Sequence, residues 1–225
     1  MSKVNGLYST SLGKKAAMAV SGLLLFGFVL GHMAGNLKMY QGQVAYDHYA
    51  EGLRVFGAPF LPHGGFLWIA RLGLLAAVAV HIASAWQTSR QSRAARSTPY
   101  AKQAVVQADY AVRTMRWGGV IILLFVIYHL CHLTWGVAHP DFQAGSVYHN
   151  VVTGFNNPLV SLVYIAANVA LGFHLYHGLW SFFQSLGLNH PRYNAGRATF
   201  ARVFAFLITA GNLSFPIAVL TGVVA

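Results

Sequence analysis

Five stretches of this chain, residues 16–37, 66–88, 117–138, 158–186 and 200–224, are apolar over a length that suits one purpose best. A helix needs roughly 20 predominantly apolar residues to cross the hydrocarbon of a bilayer, and each stretch reaches or exceeds that. The first has the basic lead-in of a signal peptide in Lys14 and Lys15. It also contains a histidine, and four more such stretches follow, so it is read as a span. The expected fold is all-α: a polytopic membrane protein whose five transmembrane helices form one bundle, with residues 1–225 as a single membrane domain. Composition agrees, since 8% of residues are charged against about 25% in soluble domains. No second soluble domain is expected, so any chemistry belongs to the membrane or to a partner.

The cations give the orientation. Lys3, Lys14 and Lys15 precede the first span, and Arg90, Arg93, Arg96, Lys102, Arg113 and Arg116 lie between the second and third. Arg192, Arg197 and Arg202 lie at the connection between the fourth and fifth. The other two connections hold only Lys38 and Arg54, with Arg71 just inside the second span. The positive-inside rule then predicts a cytoplasmic N-terminus and a C-terminus outside for this multi-pass protein. The net charge of +11 reads as a cytoplasmic belt suited to anionic membrane lipids or an acidic partner face, and it calls for no nucleic acid. The connection 89–115 is basic and short of apolar residues. The connection 38–65 carries Tyr40, Tyr46, Tyr49, Phe56 and Phe60, the composition of a segment lying in the membrane interface.

Six of the eleven histidines fall inside the expected spans: His32, His81, His129, His132, His174 and His177. Ionisable residues at that depth are rare and usually face the bundle interior, where they serve a function. All four acids, Asp47, Glu51, Asp109 and Asp141, lie outside the spans. Pairing with carboxylates therefore does not explain the buried histidines, and a relay of alternating acids and histidines is not expected. Neutral imidazole can instead bind a metal. Zinc or copper wants three or four ligands converging on one point. Haem iron takes two axial imidazoles, which facing helices of a bundle can supply, so histidines on four helices allow two bis-histidine b haems. The plain alternative is that the histidines are packing elements hydrogen-bonded between helices. The single cysteine, Cys131, excludes an internal disulfide and a Cys-x-x-Cys-His haem attachment.

Depth suggests the pairing. Counting inward at about 1.5 Å per residue from Lys38, Phe66, His139 and Pro158, His32 lies roughly 9 Å deep, His129 roughly 15 Å, His81 roughly 22 Å and His174 roughly 24 Å. An outer pair of His32 with His129 and an inner pair of His81 with His174 follow. Spacing does not separate His129 from His132, or His174 from His177, because each two share one helix face. Beside His32, Gly27, Gly31 and Gly35 form a ridge at four-residue spacing. Such a ridge serves helix–helix contact or leaves a groove for a flat macrocycle.

GHMAGNL at 31–37, VHIASAW at 80–86, RWGGVIILLFVIYH at 116–129 and FHLYHGLWSF at 173–182 occur in that order. With them the chain resembles the cytochrome b membrane-anchor subunit of succinate dehydrogenase and fumarate reductase (respiratory complex II), in its five-helix, two-haem form. The fifth span matches only as an apolar helix. The resemblance implies axial haem ligands at His32, His81, His129 and His174. His129 follows an Arg by thirteen residues and ends an F-V-x-x-H run, and His174 precedes Gly-Leu-Trp by four positions. His132 and His177 are then left to hydrogen-bond haem propionates, water or backbone.

The same resemblance implies two haem b cofactors and partner subunits, a flavoprotein (FAD) subunit that oxidises succinate and an iron–sulfur subunit. It leaves room for a higher oligomer of the complex. Electrons would reach the inner haem, pass to the outer one and reduce a membrane quinone, with menaquinone favoured; this chain alone would not oxidise succinate. Quinone carbonyls need hydrogen-bond donors and a proton source. Lys38, Tyr40, Asp47, His48, Glu51 and Arg54 in the connection 38–65 are the candidates, unless that segment is simply a solvated loop. Two other classes share parts of the pattern. One is the b-type cytochrome subunit of a hydrogenase or formate dehydrogenase, and the other is a haem-free transporter or membrane scaffold.

Overall fold

Thr10 opens the first helix: its side chain accepts from the Gly13 amide at 3.0 Å, and α1 follows over Ser11–Asn36. A short 3-10 turn, Leu37–Gln41, leads to α2 (Gln43–Val55), and α3 covers Gly65–Ala94. The chain continues with α4 (Gln107–Leu133), α5 (Val147–Phe155), α6 (Pro158–Ser185) and α7 (Pro191–Leu220). This computed structural model describes residues 6, 8, 10–95, 107–188 and 190–225, with side chains from residue 115 onward in the middle stretch. Lys3, Arg96 and Lys102 lie outside the described residues, as do the side chains of Asp109 and Arg113. Among the described residues all regular structure is helical, and five helices, α1, α3, α4, α6 and α7, are long and apolar enough to cross a membrane.

Helix ends differ from the apolar runs where local chemistry overrides hydrophobicity. The third run continues to 138, yet α4 stops at Leu133. Trp135 turns back to bond the Leu130 carbonyl at 2.8 Å, and Gly136 takes a φ of 74° that other residues rarely adopt. A Cβ there would also collide with Phe142. In the other direction α7 begins at Pro191 rather than at 200. Proline suits the first helical position, and the His190 ring caps it by accepting from the Arg192 amide at 3.2 Å. Asn157 does the same for α6, accepting from the Leu159 amide at 3.0 Å ahead of Pro158. The segment 38–65 carries α2 in its middle, and α5 is a helix that no long apolar run announces.

Packing is inverted relative to a soluble bundle. Large apolar side chains such as Leu24, Ile69, Leu72, Leu75, Leu124, Phe206 and Leu207 are exposed. Small or polar residues such as Ser21, Ser84, Ser161, Asn168 and Ala201 are buried. Outside such a bundle hydrocarbon solvates leucine as well as the interior does, so small residues that let backbones approach decide the contacts. α6 packs chiefly on α7 and α4, and α1 on α3. α2 and α5 close one end, where Met39, Tyr46, Val151, Val152, Phe155, Tyr164, Phe215 and Val219 form the largest buried apolar cluster. Lys14, Lys15, Arg90, Arg93, Arg116 and Arg192 sit toward the other end, where α1, α4 and α7 begin and α3 finishes.

Gly172 shows how tightly α6 and α7 meet. A Cβ at that position would collide with the Thr209 hydroxyl and lie 3.3 Å from its methyl. Thr209 is held in place, because it is β-branched and its hydroxyl donates to the Ala205 carbonyl at 2.7 Å. Gly172→Val is expected to cost about 1–3 kcal/mol through overpacking, while its helix-propensity gain over glycine is only a few tenths of a kcal/mol. The melting temperature of the detergent-solubilised protein should fall, and adding Thr209→Ala should recover part of the loss.

Candidate cofactor site

Four helices, α1, α3, α4 and α6, each contribute one histidine ring to one of two facing pairs. The rings of His32 on α1 and His129 on α4 have centroids 5.9 Å apart at an interplanar angle of 83°. Those of His81 on α3 and His174 on α6 are 6.2 Å apart at 67°. His32 is exposed, and the other three are half-buried. The pairs lie at different levels. On α1, a Cβ at Gly22 would sit 3.2 Å from His81, so position 22 marks the level of that pair. On α4, a Cβ at Gly119 would sit 3.8 Å from His174, so position 119 marks it again. His32 and His129 each lie ten residues further along. At the helical rise, both helices put the two levels about 15 Å apart.

The ring nitrogens have assigned roles. His81 Nδ1 lies 3.1 Å from the Met18 carbonyl and 3.5 Å from the Ser21 hydroxyl. A carbonyl only accepts, so Nδ1 carries the proton and Nε2 keeps its lone pair. His129 Nδ1 lies 3.3 Å from the Tyr164 hydroxyl. His174 Nδ1 is buried without a partner in hydrogen-bond geometry. His32 stacks on Phe28 with centroids 5.3 Å apart.

Haem fits this donor set. Two metal–imidazole bonds of about 2 Å, each with roughly 1.2 Å more to the ring centre, separate axial ring centroids by about 6 Å. Both pairs are at that separation. Side chains at Gly27 and Gly31 would meet nothing within 4 Å, while the third glycine of the ridge, Gly35, is filled by Tyr49. No three His, Cys, Asp or Glu side chains converge among the described residues, so the arrangement is paired rather than clustered.

The neighbouring histidines are engaged otherwise. His177 Nδ1 turns to the Phe173 carbonyl at 3.1 Å. His132, with 0% exposure, places Nδ1 at 3.0 Å from the Tyr164 hydroxyl. Tyr164 carries no signal in the sequence beyond an aromatic in an apolar helix. Gly22, Gly119 and the Met18 carbonyl are equally silent there.

The polar residues of 38–65 are engaged one by one. Lys38 donates to Gln41 at 3.2 Å, and Tyr40 to Ser214 on α7 at 2.7 Å. Asp47 accepts from the Tyr148 amide at 2.9 Å, and His48 is exposed. Glu51 pairs with Arg54 and with His63, each at 2.9 Å. His63, then Arg54, hold the Glu51 carboxyl below its ordinary range. The advantage this gives the paired geometry is present at neutral pH. It is lost as pH falls below the ordinary carboxylate range through the lowered value. Tyr46 donates to Asn36 at 2.7 Å, and burial pushes its phenol above the ordinary range, with Tyr49 and Asp47 adding to the effect.

Five helices long and apolar enough to cross a membrane, with imidazoles paired at two levels, define a multi-pass membrane protein. Its relationship is narrower than that. Residues 110–212 match the family described as Succinate dehydrogenase/Fumarate reductase transmembrane subunit. The matched stretch contains two of the four motifs, those at 116–129 and 173–182, and agrees there with the resemblance. The matched stretch includes His129 and His174, whereas His32 and His81 precede it. No curated protein and no solved structure matches the chain.

Asp47 has a structural task whatever else it does. The α5 N-cap residue Ser146 makes no side-chain cap, and Asp47 supplies one from α2 by holding the Tyr148 amide. Asp47→Ala should remove about 1 kcal/mol of capping. Hydrogen exchange should show it as roughly fivefold faster exchange at the start of α5, with α1 and α6 unchanged.

Proposed function

We propose that this chain is the dihaem cytochrome b anchor of a succinate:quinone oxidoreductase, holding a flavoprotein and an iron–sulfur subunit at a bacterial cytoplasmic membrane. The observation that carries the reading is the pair of histidine pairs, each at the separation of two axial imidazoles and stacked about 15 Å apart along the bundle. The family match supports the enzyme class. Haem b at each level supplies one-electron transfer between the iron–sulfur subunit and a membrane quinone, with menaquinone favoured.

The residues divide the remaining work. His32 with His129, and His81 with His174, hold the two groups through Nε2. The Met18 carbonyl keeps the His81 proton on Nδ1 and so aims its other nitrogen. The basic end of the bundle faces the cytoplasm and forms the docking surface for the soluble subunits. The end closed by α2 and α5 faces outward and receives the quinone. There Lys38, Tyr40, Asp47, His48, Glu51 and Arg54 are the candidates to bind its carbonyls and exchange protons. His48, exposed and without a competing bond, is the freest of them.

The test is a pyridine haemochrome assay on the purified complex and on four single variants. Two b haems per chain are expected, falling to one in each of His32→Ala, His81→Ala, His129→Ala and His174→Ala. A flavoprotein should co-purify. Full haem content in any of the four variants contradicts the ligand assignment. A co-purifying nickel or molybdenum subunit contradicts the enzyme class.

A further inference from the structure

Tyr164 sits between two histidines of the neighbouring helix. Its hydroxyl lies 3.3 Å from His129 Nδ1 and 3.0 Å from His132 Nδ1. The ring is 4% exposed and packed edge-on against Phe125 and Phe155, with centroids 5.0 and 4.8 Å away. It has little freedom to swing elsewhere.

A phenol has one proton, so it donates to one of these nitrogens and accepts from the other. If His129 presents Nε2 to the space it shares with His32, its proton is on Nδ1 and is given to the phenol oxygen. The phenol proton then goes to His132 Nδ1. That leaves the His132 proton on Nε2, a buried atom with no hydrogen-bond partner. The surroundings keep His132 in this position. A Cβ at Gly154 would lie 2.7 Å from its ring, so only glycine admits it. His139, whose ring centroid is 4.8 Å away, is already committed, its Nε2 donating to the Asn150 carbonyl and its Nδ1 accepting from the Asp141 amide. The hydrogen bonds therefore run one way, from His129 through Tyr164 to His132.

We propose that Tyr164 is the positioning residue of the His32/His129 site, fixing the tautomer and ring orientation of His129, and that His132 serves as its acceptor rather than as a ligand. The proposal rests on the haem reading above. An acceptor on the Nδ1 proton makes an imidazole a more basic ligand, which favours ferric iron. Removing it should therefore raise the potential of the group held there and leave the other level alone.

The experiment is a redox titration with low-temperature EPR on the whole complex carrying Tyr164→Phe. The expected result is two haem b per chain. The midpoint potential of the His32/His129 haem moves positive and its low-spin g values change, while the His81/His174 haem is unmoved. If that variant does not assemble, the same readings are taken on His132→Asn. Both haems should be retained there, with a smaller shift of the same haem. Native potentials and g values in an assembled Tyr164→Phe, or in His132→Asn where that variant decides, overturn the proposal. Loss of a haem from His132→Asn also overturns it, since His132 would then be the ligand. A native complex with fewer than two haems removes the underlying reading first.

Discussion

A polar group between membrane helices must find its partner without water, and here no carboxylate lies in any of the five spans to help the imidazoles. A buried polar atom left without a partner costs about 1–3 kcal/mol. A charged imidazole in hydrocarbon costs more than a neutral one, and a neutral imidazole has one nitrogen that donates and one that accepts. That division governs the interior. Donors are met by the Met18 carbonyl, the Tyr164 hydroxyl and the Phe173 carbonyl. In the proposed reading the remaining lone pairs of His81 and His129 are the ones that hold the cofactor.

The backbone layout follows from the same demand. Gly22 and Gly119 stand level with the His81/His174 pair and keep side chains away from it. Ser21 and Ser84 are buried on the helices that meet there. Large aliphatic side chains are turned outward, where lipid accepts them at no cost, so close contact comes from small residues and from positions such as Gly172. α2 and α5 then close one end with a dense apolar cluster that includes the Tyr164 ring. The phenol beside His129 is thus fixed by the same packing that closes the end of the bundle.

Much of this could be read from residue order. Five apolar runs announced five long helices, and counting from their ends put His32 with His129 and His81 with His174, whose ring centroids lie 5.9 and 6.2 Å apart. What could not be read depends on atoms that hydropathy ignores. Trp135, Val137 and Ala138 prolong an apolar run, but Gly136 and the Trp135 amide end α4 earlier. Pro191 and His190 start α7 inside a polar connection. Asp47 reads as a candidate proton donor on an interfacial segment, and its bond to the Tyr148 amide emerges only when α2 and α5 meet. Tyr164 reads as one more aromatic in an apolar helix, because its two histidine partners lie more than thirty residues earlier in the chain.

The claim that the two histidine pairs each hold one haem is tested most directly by an experimental density map of the purified complex. The account predicts two planar macrocycles, one bridged by His32 and His129 and one by His81 and His174, with their irons about 15 Å apart along the bundle. It also predicts His132 against Tyr164, away from either iron. Density for a single macrocycle, or one ligated by His132 or His177, would contradict the assignment.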